Sequence, residues 1–208
     1  MTYFFRRCVK QALDIAKLDQ LSRVIKMEFD RKKEIINICL DLFVEKGLSK
    51  TSTRDISKAL QLQNAALYYY FKTKTDAVVA CFDVALSRLE IDLLIPTYMD
   101  LDDPKRLFDK LLTRAKEMAP VARFILEAWT SVQYRDLLTS SMNRMLKRME
   151  QYTKRVAKKH SCSVDEIRPY VNLGISAVLE YMVFGDVFPI DLHIEIISKK
   201  VEGLNGKE

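Results

Sequence analysis

Residues 67–74 read LYYYFKTK, from Leu67 through Tyr68, Tyr69, Tyr70, Phe71, Lys72 and Thr73 to Lys74. This is a short aromatic helix running into a basic turn. It follows a helix-length segment, STRDISKAL from Ser52 to Leu60, after a brief break. Two short helices joined by a tight turn, the second carrying polar and aromatic groups, are the parts of a helix-turn-helix. At about 100° per residue, Leu67, Tyr70 and Phe71 share one side, with Asn64, Ala65, Tyr68 and Tyr69 opposite. The first set suits packing. The second suits a duplex, because tyrosine lays its ring on sugars and methyl groups while its hydroxyl reaches a phosphate or base edge. The competing reading is three half-buried packing tyrosines. The basic turn and the upstream helix favour the DNA-facing one.

The stretch from Arg31 to Val78 resembles the DNA-binding domain of TetR-family transcriptional repressors. The residues that carry the resemblance are Gly47, Thr51-Ser52-Thr53, Asp55-Ile56-Ser57 and the Leu67–Lys74 run. It implies an all-α chain, with an N-terminal three-helix helix-turn-helix domain and a C-terminal helical bundle for regulation and dimerisation. The domains expected are an N-terminal extension (1–28), a DNA-binding domain (29–75) and a ligand-binding and dimerisation domain (76–208). Implied DNA contacts are Thr51, Ser52, Thr53, Arg54, Gln63, Asn64, Ala65, Tyr68, Tyr69, Lys72 and Lys74, with Lys74 where relatives touch phosphate. The pattern departs at Gln61, where the family usually has glycine, at Gln63, usually a small serine, and at Asn64, often basic.

Local chemistry agrees with this division. Asp30 is expected to cap a helix whose apolar positions Ile35, Ile36, Cys39, Leu40 and Phe43 recur at helical spacing, ended by Gly47. Ser52 with Asp55, and Thr73 with Asp76, have the spacing of capping boxes. Each cap is worth about 1 kcal/mol.

Glycine and proline number 5 each in 208 residues, which leaves long helical stretches and few β-turns. The net charge is +6, and up to Asp76 the sequence holds 15 Lys/Arg against 9 Asp/Glu; beyond it, 19 of each. All the excess positive charge therefore lies with the helix-turn-helix, as a polyanion-binding module requires. The 4 cysteines, Cys8, Cys39, Cys81 and Cys162, are scattered without metal-ligand spacing. No metal or cofactor is expected, and no nucleophile–base pair or phosphate-cradling glycine loop suggests catalysis. No apolar run suits a membrane span, and a reducing cytoplasm is the expected compartment.

The segment before Met27 keeps helical spacing at Val9, Leu13, Ala16, Leu21 and Val24. Two readings stay open. Met27 is the true start, or residues 1–26 form an extra helix whose basic aromatic beginning, Tyr3 to Arg7, reaches DNA as an arm.

Further on, a connector helix is expected from Thr75 to Leu94, stopped at Pro96. Asp103 and Pro104 open a helix to about Met118, and Pro120 starts another. Further helices run from about Tyr134 to Lys159, from Asp165 to Phe184 behind a Ser163/Glu166 capping box, and from Asp191 to Gly203. Phe124, Trp129, Met142, Met145, Met149 and Tyr170 have the soft, aromatic character of an effector pocket for an apolar or amphipathic molecule, although an ordinary bundle core explains each singly. The Asp165–Phe184 helix is apolar nearly all round. Val171, Gly174, Ile175, Val178 and Met182, with Ile194, Ile197 and Val201 of the last helix, are the expected homodimer interface. The functional expectation is a repressor released from a palindromic DNA operator by a small molecule. The alternative is a small-molecule-binding bundle or enzyme that has lost DNA binding.

Overall fold

A computed structural model describes residues 2–61, 64–94, 104–185 and 190–205. Among these, every regular element is helical, as expected. Helix α1 spans Thr2–Lys46, α2 Thr53–Ala59, α3 Asn64–Tyr70 and α4 Lys74–Leu89, and α4 passes into a π-helical turn at Glu90–Leu94. Then follow α5 (Pro104–Thr130), α6 (Arg135–Lys159), α7 (Val164–Phe184) and α8 (Ile190–Asn205). Pro96, Asp103 and Gln63 lie outside the described residues, as do the side chains of residues 2–21, Asn64, Ala65 and Val201.

Among the described side chains of α1, the buried ones lie in its last third. Ile35, Cys39, Leu40 and Phe43 are buried and pack against α4. Residues 22–34 are exposed, including Val24, Ile25, Met27 and Phe29. Asp30 therefore does not cap this helix: α1 runs 45 residues without a break, and Asp30 lies inside it. The helix ends as expected. Gly47 adopts φ +87°, and its N–H donates to Phe43 O at 2.9 Å.

Helix α5 is the centre of the molecule and packs on α1, α4, α6, α7 and α8. Contrary to the expected break near Met118, it continues through Pro120 for 27 residues. A proline removes one N–H and crowds the carbonyl four residues back, which bends a helix but need not end it. Here the buried row Phe108, Leu111, Ala115, Met118, Ala122 and Ile125 crosses the proline at three- and four-residue steps. Packing on both sides outweighs the lost hydrogen bond.

Helices α7 and α8 correct the interface assignment. Val171, Gly174, Ile175, Val178 and Met182 are buried within the protomer, against α5, α6 and α8. Ile197 is buried and Ile194 half-buried in the same layer. Among the described residues, the large apolar side chains left outside are Leu179, Val183 and Phe184 of α7 with Leu192 and Ile196 of α8. An all-round apolar helix has two apolar faces, and periodicity alone does not say which one turns inward.

Charge ties α6 to the connector. Arg148 donates through Nε and Nη2 to both carboxylate oxygens of Glu90, at 2.6–2.9 Å, where the α-helix turns into π. The Glu90 side chain is only 6% exposed, and the contact holds the Arg148 guanidinium above its ordinary pKa. One turn away on α6, Arg144 pairs with Asp83 at 2.9 Å.

Candidate nucleic-acid interface

The site is built from short local devices. Ser52 caps α2: its hydroxyl accepts from Asp55 N–H at 3.2 Å, and Asp55 Oδ2 accepts from Ser52 N–H at 2.8 Å. Lys46, in the last turn of α1, pairs with Asp55 at 3.0 Å and links the two helices. The Ser52 hydrogen bonds, with Lys46 adding to them, hold the Asp55 carboxyl well below the usual carboxylate range. Thr73 and Asp76 repeat the same box at the start of α4. Both boxes stand where the sequence places them.

Gln61 occupies the turn position where the family usually has glycine. It adopts φ +52°. The left-handed conformation that glycine would supply is therefore kept by a non-glycine residue, at a strain of about 1 kcal/mol.

Among its described side chains, helix α3 presents the two faces read from its wheel. Leu67 and Phe71 are buried beside Ile56 and Leu60, and Tyr70 is half-buried. Tyr68 is 53% and Tyr69 71% exposed. Tyr69 meets Tyr70 edge-on, ring centroids 5.1 Å apart. The Tyr69 hydroxyl also donates to the Glu28 carboxylate of α1, which raises the phenol above its ordinary pKa. Glu28, Lys32, Tyr69 and Tyr70 line a shallow cleft of about 170 Å³ between α1 and α3. Arg54, Lys58 and Lys72 are exposed.

Two expected contacts turn inward. Thr51 is buried, and its hydroxyl donates to Gly47 O at 2.8 Å, so it ties the turn instead of facing outward. Lys74 is half-buried, and its ammonium donates to Leu48 O at 2.6 Å. Desolvation lowers the Lys74 pKa, against the nearby charge of Glu127. Ser52 is exposed, with its hydroxyl engaged in the cap, and Thr53 is half-buried.

The expected effector-pocket residues have separate partners. Phe124 stacks on Phe43 of α1, centroids 5.7 Å apart, and Trp129 on Phe82 of α4 at 6.5 Å. Tyr170 lies under the Lys200 ammonium of α8 at 5.3 Å. Met142, Met145 and Met149 line the inner side of α6. The structure thus spreads these side chains over several interhelical contacts.

Sequence reasoning missed Glu28, Glu90, Glu127 and Arg148. Both oxygens of Glu127 on α5 accept backbone N–H groups of the α1–α2 turn, from Leu48 at 3.1 Å and Ser49 at 3.2 Å. The only local signal was Arg144 and Arg148, one turn apart on α6, matching Asp83 on α4 and Glu90 seven residues on, at the start of the π-helical turn.

Two short, closely spaced helices with buried apolar faces and an outward tyrosine pair, set on a basic N-terminal region, define a helix-turn-helix protein. Residues 35–81 match the family of bacterial regulatory proteins, tetR family. The biofilm operon icaADBC negative transcriptional regulator IcaR of Staphylococcus aureus is 39% identical over 56 residues, covering 25% of this chain and 30% of that protein. The chain thus matches less than a third of this relative's length. The whole fold is shared with a TetR transcription regulator from Haloarcula marismortui, with a TM-score of 0.60 at 16% identity over 84% of this chain and 97% of that one. A protein from Saccharomonospora viridis solved in complex with choline has a TM-score of 0.52 at 16% identity, over 83% of this chain and 96% of that one.

Proposed function

We propose that the chain is a homodimeric transcriptional repressor that holds a palindromic DNA operator in the cytoplasm and releases it when a small molecule binds the C-terminal bundle. The observation that carries this reading is the exposed Tyr68–Tyr69 pair on a helix whose other face is buried. Two such helices, one per protomer, fit successive major grooves about 34–36 Å apart. Ser52, Arg54, Tyr68, Tyr69 and Lys72 are the described exposed residues of the proposed contact set, and residues 29–75 and 76–208 are the proposed DNA-binding and regulatory parts of the chain. The alternative of lost DNA binding rested on Gln61, and the left-handed φ at that position removes its support.

The exposed stripe Leu179, Val183, Phe184, Leu192 and Ile196 is the proposed dimer face. It sits on the two C-terminal helices and stays exposed among the described residues. Val183→Arg would place a charge in a dry interface, and light scattering is expected to report monomers. Gly174→Arg, by contrast, would damage the protomer core. For the effector we propose an apolar or amphipathic molecule held near Met142, Met145 and Met149; the choline complex of the Saccharomonospora viridis protein supports a small-molecule site in this fold. Lipophilic cations, fatty acyl compounds and aromatic metabolites are the candidates to titrate.

The deciding experiment selects duplexes from random-sequence DNA with the full chain and measures anisotropy across salt concentrations. A selected palindrome, and an affinity falling linearly in log salt, are the expected results. Failure to enrich any sequence overturns the reading. Lys74→Ala separates two roles: a lost phosphate contact lowers the salt slope by about one unit, whereas a lost clamp on Leu48 weakens binding at constant slope.

A further inference from the structure

Helix α5 belongs to the regulatory bundle, yet its Glu127 carboxylate reaches the turn that leads into α2. Oε2 accepts from Leu48 N–H and Oε1 from Ser49 N–H. These two amides lie between α1 and α2, where no helix supplies acceptors. Lys74, at the start of α4, grips the same peptide from the other side through Leu48 O. Thr51 closes the turn internally on Gly47 O, and Ser52 then caps α2. On α5 the residues flanking Glu127 are also fixed: Phe124 on Phe43 of α1, Trp129 on Phe82 of α4. A displacement of this end of α5 must therefore act on the 48–49 backbone.

We infer that Glu127 is a positioning residue for DNA binding: it holds the Leu48–Ser49 backbone and so sets the pose in which α2 and α3 meet the duplex. The inference rests on the reading above that α3 enters DNA. Glu127 itself touches no DNA; it acts through two amides. Its sign makes it testable. A carboxylate beside a DNA-binding domain repels phosphate, so bulk electrostatics says that removing it strengthens binding. Positioning says the reverse.

The test is Glu127→Gln in the full chain. The amide keeps the length and one acceptor oxygen, but turns an N–H₂ group toward a backbone N–H. Two readouts are taken at a temperature where circular dichroism shows both proteins folded. Hydrogen exchange at Leu48 and Ser49 is expected to speed up by about tenfold or more, the loss of one charge-assisted hydrogen bond. Exchange at Leu60, whose N–H donates to Ile56 O, is expected to stay unchanged. Affinity for the selected duplex is expected to fall at least about fivefold with an unaltered salt slope, since no phosphate contact is lost. Equal or tighter DNA binding by the variant overturns the inference, and so does unchanged exchange at the two amides. If the parent chain selects no duplex, the DNA reading falls and the positioning role with it, while the exchange data still report whether Glu127 holds the turn.

Discussion

Ser52 before α2 and Ser163 before α7 are capped in the same way. Each hydroxyl accepts from the N–H three residues on, and each acidic partner accepts from the serine N–H. The helices they open differ. α2 has 7 residues and buries Ile56 and Ser57, whereas α7 has 21 and buries a full row from Ile167 to Met182. A seven-residue helix is far below the length that is stable alone, so its cap and few anchors carry it. The long helix is held by packing, and its cap is an increment. Local chemistry therefore governs the helix-turn-helix end, and tertiary contact governs the bundle.

The largest test of this contrast is Phe71→Ala. Phe71 is one of the few large side chains anchoring α3 and is 5% exposed. Its truncation is expected to cost about 3–5 kcal/mol, read as a lower denaturation midpoint, with loss of the N-terminal domain. Second is Arg148→Met, which strands the buried Glu90 carboxylate. The expected cost is about 2–3 kcal/mol, below the ~3–5 of a fully buried pair, because Arg148 stays 40% exposed. Replacing Glu90 by Gln in the same chain should recover part of it. A cost under about 0.5 kcal/mol would show that the α4–α6 tie is ornamental.

Third come the caps themselves. Ser52→Ala and Ser163→Ala are each expected to cost about 1 kcal/mol by chemical denaturation, but only Ser52→Ala is expected to weaken DNA binding. Equal effects on DNA would break the comparison. The α2 cap also carries a pH signature. The folded pKa of Asp55 is depressed, so its stabilisation is present above the unfolded value near 4 and is lost as pH falls below that. Asp55→Asn is expected to flatten the acid limb of the stability profile. The smallest effect is Gln61→Gly. Relief of the left-handed strain at φ +52° competes with the greater chain entropy of glycine. A net gain of about 0.5 kcal/mol is expected by thermal melting.

The legible parts of the chain are those written within a few residues. The three capping boxes, Gly47, the two faces of α3 and the class of the fold all follow from spacings of three or four. What was not legible depends on partners far along the chain. Lys74 looks like a surface cation until Leu48, 26 residues away, takes its proton donor. Glu127 looks solvated until Leu48 and Ser49 are brought to it. Pro120 reads as a stop because a sequence does not weigh one missing N–H against two packed faces. The inward and outward sides of α7 are both apolar, so only its contacts with α5 and α6 tell Val178 from Val183.

Helix α1 has a thermal consequence. Its buried third, from Ile35 to Phe43, is a permanent helix nucleus, so residues 22–34 extend it without a nucleation penalty. They gain no burial in return. Beyond surface ties such as Tyr69 to Glu28 and the Arg31–Glu34 pair, their helicity rests on propagation, which weakens steadily on warming. Heating should therefore produce a sloping loss of ellipticity well before the cooperative melt of the bundle, and trypsin should find Arg23, Lys26 and Arg31 in that same temperature range while the capped helices stay closed.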